Sequence, residues 1–81
     1  MVEIRLKILI TGASGYIGSH LARHLSDNTA HSLVQIDLAG QEDLPYGVIR
    51  ALDLGDKVSL KALFEMESLD AVIHLAALGN I

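Results

Sequence analysis

An α/β domain forming half of a doubly wound parallel sheet is the fold this sequence predicts, on three observations. Short β-rich runs alternate with helical stretches, the pattern of βαβ units on a parallel sheet. A glycine-rich segment stands directly between the first strand and the first helix. An aspartate closes the second strand.

Leu6-Lys7-Ile8-Leu9-Ile10 reads as strand one, stopping at Thr11-Gly12. From Tyr16 to about Asp27 the apolar residues Ile17, Leu21 and Leu25 recur on one helical face. Tyr16, His20, His24 and Asp27 lie off that face, so the helix is amphipathic. Strand two is Ser32–Asp37. A loop of about ten residues follows, broken by Gly40, Pro45 and Gly47. Strand three is Val48–Leu52. Asp56 is placed to cap a second helix that runs to about Met66 with Leu60, Leu63 and Phe64 inward. Strand four is Ala71–Ala76. Right-handed crossovers put one helix on each face and give the strand order 3-2-1-4, with the reversal between strands one and four.

Composition excludes several functional classes. The 81 residues form a single domain, 1–81, and 51% of them are hydrophobic, which suits an extensively buried sheet or one awaiting a cover. The formal charge of −4 and scattered basic residues give nothing to draw the chain to nucleic acid or to a membrane surface. Without cysteine there is no disulfide or thiolate chemistry, and the four histidines lack cysteine partners and metal-ligand spacing, so no metal is expected. MVEIRLKILI is too short in its apolar part for a signal peptide, and no run is long enough to span a membrane. The expectation is a cytoplasmic domain.

The chemistry lies in Thr11-Gly12-Ala13-Ser14-Gly15-Tyr16-Ile17-Gly18. Gly12 permits a tight strand-to-helix turn, Gly15 lets backbone approach a bulky anion, and Gly18 lets the helix pack closely. The helix start then offers unpaired N–H groups and a partial positive charge to a pyrophosphate, with no lysine or arginine needed. A P-loop is excluded because no Gly-Lys-Ser/Thr ending follows. Asp37 stands 19 residues after Gly18, where a carboxylate can accept the hydroxyls of an adenosine ribose and repel a 2′-phosphate. That favours NAD over NADP. Asp53 is placed to reach an adenine edge or to cap a turn.

These pieces together resemble the N-terminal part of an extended short-chain dehydrogenase/reductase, the NAD-dependent epimerase/dehydratase family of Rossmann-fold proteins. The matching segments are the glycine motif through Leu21, then Val34–Asp37, Ala51–Leu54 and Asp70–Ala77. The resemblance implies that Tyr16 and Ile17 give backbone N–H groups to the pyrophosphate and that Asp37 binds the ribose. It implies that Asp53 and Leu54 flank the adenine, and that Leu75, Ala76 and Ala77 line the path to the nicotinamide ribose. His74 reads as a packed, hydrogen-bonded strand residue rather than an acid–base group.

The family's chemistry uses a Tyr-x-x-x-Lys pair, and neither tyrosine here begins one: Tyr16 leads to His20 and Tyr46 to Arg50. The expected function is therefore the NAD-binding portion of an oxidoreductase resembling the nucleotide-sugar epimerases (isomerases) and dehydratases, with no turnover in this chain alone. A stand-alone dinucleotide-binding or sensor module and a ligand-free structural half-fold that self-associates are the alternatives. Strand four, with no lysine or proline, would leave an open edge through which the chain is expected to form a homodimer.

Overall fold

The computed structural model describes residues 4–76. In chain order the elements are β1 (Lys7–Thr11), α1 (Tyr16–Asn28), β2 (Ser32–Asp37), β3 (Gln41–Leu44), β4 (Gly47–Ala51), α2 (Lys57–Met66) and β5 (Ala71–His74). They form one five-stranded sheet in the order β3-β4-β2-β1-β5. Strands β4, β2, β1 and β5 run parallel, in the arrangement that right-handed crossovers predict, and β3 is antiparallel to β4. The α/β half of a doubly wound fold is thus what the chain forms.

The alternation of side chains across a pleated strand divides the core between two faces. On one face Ile8, Ile10 and Ile49 pack with Ala22 of α1, joined by Leu21 and Leu25. On the other, Leu9, Val34 and Ile36 pack with Leu63 of α2. Strands β1 and β2 are apolar on both sides because a helix covers each side.

Four expectations need correction. The loop after strand two contains a strand, β3, that pairs with β4 around the two-residue turn Pro45-Tyr46. Gln41-Glu42-Asp43-Leu44 makes an edge strand mainly through its backbone, so its sequence shows no apolar alternation. Gln35, buried in β2, anchors this turn by donating from Nε2 to the Tyr46 carbonyl at 3.2 Å. Secondly, Ile17 is 66% exposed; the deeply buried positions of α1 are Gly18, against the turn after β1, and Ala22, in the core. Phe64 of α2 is likewise exposed, beside a buried Leu63. Finally, β5 ends at His74, so Leu75 and Ala76 are not strand residues.

Polar contacts close the end of the sheet where β1 and β5 begin. Lys7 N donates to the Asp70 carboxylate at 2.7 Å, and Asp70 N donates to the Lys7 carbonyl at 2.8 Å. Glu67, just past α2, accepts from Lys7 Nζ at 2.7 Å and Arg50 Nη2 at 3.1 Å. The Lys7 ammonium above all, and then the Arg50 guanidinium, hold the Glu67 carboxyl below its ordinary range. No helix among the described residues is long and apolar enough to cross a membrane.

Candidate functional site

The opposite end of the sheet, where the parallel strands finish, carries a cavity of about 260 Å³. Its position follows the rule for open α/β sheets, beyond the carboxyl ends of the strands where the winding reverses. One wall is the turn after β1, with Gly12, Ser14 and Gly15. A second is the end of β2, with Ile36, Asp37 and Leu38. The chain after β4 supplies Leu52, Asp53 and Leu54, and Thr11 with Leu75 and Ala76 completes the enclosure.

The first wall is shaped by missing side chains. Gly12 has φ of +69°, and a Cβ there would lie 2.7 Å from the backbone nitrogen of Ala76. No other residue meets both conditions without strain. Gly18 is pressed against the same turn, where a Cβ would collide with the carbonyl oxygen of Gly12. The tight packing expected of Gly18 is therefore made on the turn Gly12-Ala13. Gly15 donates its N–H to the Gly12 carbonyl at 3.1 Å and serves as N-cap of α1, without a side chain to cap with. The first helical bond runs from Ser19 N to Gly15 O. The N–H groups of Tyr16, Ile17 and Gly18 thus have no acceptor within the helix, and the positive end of the helix dipole lies at the cavity mouth.

Asp37 faces this helix start from the end of β2. Its Oδ2 accepts the backbone N–H of Ser14 at 2.9 Å and the Ser14 hydroxyl, and its Oδ1 accepts Leu38 N at 2.7 Å. Partial burial works against ionisation, but the Ser14 hydroxyl and the Leu38 and Ser14 N–H groups outweigh it and hold the carboxyl below its ordinary value. Asp37 is therefore an anion at neutral pH, and Oδ1, which accepts from Leu38 N, keeps further acceptor capacity. Among the described residues, no lysine or arginine lines the cavity. Asp53 is a turn-capping residue: its Oδ1 accepts Gly55 N at 2.8 Å, and its carbonyl accepts Asp56 N at 2.9 Å.

Of the residues singled out in the sequence, Gly12, Gly15, Asp37, Asp53, Leu54, Leu75 and Ala76 meet around this one cavity. The side chains of Tyr16 and Ile17 project into solvent, and neither residue is among those lining the cavity. Gly18 lies buried behind the turn, and Ala77 falls outside the described residues. Sequence reasoning missed Ser14, Ile36, Leu38, Leu52 and Thr11. The Thr11 hydroxyl oxygen lies 2.7 Å from His74 Nδ1 and also receives the N–H groups of Leu75 and Ala76. His74 is thus hydrogen-bonded as expected, but exposed rather than packed. No group of three or more potential metal-ligating side chains stands together among the described residues.

Known proteins resemble this chain over nearly its whole length. The model of the NAD dependent epimerase/dehydratase family matches residues 8–81. The chain is 35% identical over 86 residues to a dTDP-glucose 4,6-dehydratase of Shigella flexneri, covering 94% of this chain and 24% of that protein. It is 38% identical over 87 residues to the dTDP-glucose 4,6-dehydratase of Salmonella typhimurium, again covering 94% and 24%. Among solved structures, an L-threonine dehydrogenase from Clostridium difficile superposes with a TM-score of 0.76 at 32% identity, over 94% of this chain and 25% of that one. The chain thus spans about a quarter of the length of these relatives.

Proposed function

We propose a function from one premise: the chain belongs to the NAD dependent epimerase/dehydratase family. It is the part that binds NAD, and the adenosine and pyrophosphate moieties are what it holds. One observation carries this reading. The uncapped start of α1 and the ionised Asp37 face the same cavity, offering hydrogen-bond donors for a diphosphate and an acceptor for a ribose diol. The donor set fits the group, and bare glycine backbone at Gly15 leaves room for it.

In this reading the N–H groups of Tyr16 and Ile17 hold the pyrophosphate, and Asp37 Oδ1 takes a ribose hydroxyl. Asp53 and Leu54 lie against the adenine, and Leu75 and Ala76 lead toward the nicotinamide ribose. A 2′-phosphate would meet the Asp37 anion with no lining cation to offset it, so NAD is preferred over NADP. A cavity of about 260 Å³ falls just under the ~300 Å³ at which small-molecule pockets usually begin. It takes part of a dinucleotide, so most of the affinity comes from the adenosine diphosphate portion.

The parent activity is that of a nucleotide-sugar dehydratase or epimerase, in which NAD, when bound, accepts and returns a hydride. This chain contributes the binding of the cofactor and no proton transfer. Tyr16 has His20 one helical turn on, its ring edge-on at 4.4 Å, where the family's pair needs a lysine. Calorimetric titration of the 81-residue chain with NAD, NADP and ADP tests the proposal. NAD and ADP are expected to bind with similar affinity and NADP more weakly; binding of none of them, or NADP binding as tightly as NAD, overturns it.

A further inference from the structure

Thr11 Oγ1 lies 2.7 Å from His74 Nδ1, 3.0 Å from Leu75 N and 3.2 Å from Ala76 N. A hydroxyl has one hydrogen to donate and two lone pairs to accept with. The two backbone N–H groups can only donate, so they occupy the lone pairs. The hydroxyl hydrogen is left with Nδ1 as its acceptor. That nitrogen is therefore bare, and the neutral ring carries its proton on Nε2.

We infer that His74, which does not line the cavity, is a positioning residue for its wall: by accepting the Thr11 hydroxyl it aims both lone pairs at Leu75 and Ala76. The effect on a ligand rests on the proposed reading of the cavity as a dinucleotide site; the positioning itself does not. The two N–H groups depend on it unequally. Leu75 N also has the Thr11 main-chain carbonyl at 3.2 Å and keeps a partner without the hydroxyl. Ala76 N has Thr11 Oγ1 as its acceptor, and its backbone lies where a Cβ on residue 12 would intrude. Ala76 is the point at which His74 acts on the cavity.

The test uses the 81-residue chain and two substitutions. His74→Leu removes the acceptor. His74→Asn restores one, because the asparagine side-chain oxygen stands about where Nδ1 does. Long-range ¹H–¹⁵N spectra of the unsubstituted chain are expected to show His74 as the Nε2–H tautomer. The Ala76 amide should exchange with solvent about five- to tenfold faster in His74→Leu, the loss of one net hydrogen bond, and near the native rate in His74→Asn. Leu75 should change less than Ala76. NAD affinity should fall in the leucine variant and recover in the asparagine one.

An Nδ1–H tautomer overturns the inference, as does equal Ala76 exchange in the two variants. Exchange that follows the acceptor while NAD affinity stays flat supports the positioning role and removes the dinucleotide from this wall. If the leucine variant loses its circular dichroism signal, the tautomer in the native chain and the asparagine variant decide.

Discussion

Helix α2 begins at Asp56, whose carboxylate accepts Ser59 N at 3.1 Å and the Ser59 hydroxyl at 2.7 Å. Helix α1 begins at Gly15, which has no side chain and lines the cavity, and the N–H groups of its first turn have no acceptor within the helix. The longer helix is thus the one without a cap. An aspartate does stand near α1, but Asp37 takes the N–H of Ser14, one residue before the cap, and leaves those of Tyr16, Ile17 and Gly18 alone. A helix start closed from within contributes to stability. One left open contributes instead to the affinity of an anion from outside.

Substituting Gly15 should give the largest break in this contrast. A Cβ there would touch the Gly12 carbonyl oxygen at 3.3 Å and is otherwise unobstructed by protein, so Gly15→Val should fold. Its branches fill the space a pyrophosphate needs. Loss of two charge-assisted hydrogen bonds implies about 100-fold weaker NAD binding, with circular dichroism nearly unchanged. Unaltered affinity in calorimetry would mean that the open helix start is not the anion site.

Asp37→Asn should be felt less. Removing one charged acceptor is expected to weaken NAD binding about tenfold and to bring NADP closer to it. Parallel titrations with the two dinucleotides measure the ratio, and an unchanged ratio removes Asp37 from the ribose.

At the closed helix the expected change is in stability alone. Asp56→Ala should lower Tm by roughly 4 °C and leave NAD affinity as it was. The Ser59 hydroxyl and N–H hold the Asp56 carboxyl below its ordinary value, so its contribution is present above that value and is lost as pH falls through the lowered one. Asp37 and Glu67 have the same sign. Thermal melts of the native chain should therefore weaken as pH drops below the usual carboxylate range. In the Asp56→Ala variant that acid-side loss should be smaller.

The sheet's two edges repeat the contrast in a weaker form. β3 presents Glu42 and Asp43, with Asp43 at φ of 61°, which breaks the regular register of that edge. β5 pairs with β1 on one side and presents Ala71–His74 on the other, with Val72 about half exposed. Pairing of two β5 edges across a two-fold axis is the proposal for this chain, and sedimentation equilibrium at micromolar concentration should find a dimer that Val72→Lys reduces to monomer. A single ideal species of 8.7 kDa in the native chain ends that idea.

Sequence periodicity carried α1, β2 and the Asp56 cap because each is set by residues within one or two turns of one another. β3 was not legible for the opposite reason. Its residues bury almost nothing, and its pairing is fixed by the Pro45-Tyr46 turn and by Gln35 beneath it. Ile17 misled because a spacing of four marks a stripe but not its width, and the close contact made by Gly18 turned the helix past it. At the site, the glycines and Asp37 carry a local signature. Ser14 and Thr11 do not, since their partners lie 23 residues and more than 60 residues along the chain.

Those distant partners also set an order of events. β1 lies inside the sheet, between β2 and β5, yet is first in sequence, and its contacts with Glu67, Asp70 and His74 each close a loop of 60 residues or more. β1, α1 and β2 need only a short crossover to meet, whereas β5 has to return across the whole chain, and long-range closures come late in folding. The Leu75–Ala76 wall is therefore expected to be completed at a late docking step. A molecule held between that wall and the glycine turn meets its site only after the folding barrier has been crossed. Its signature is kinetic: saturating NAD should slow unfolding and leave the folding rate unchanged.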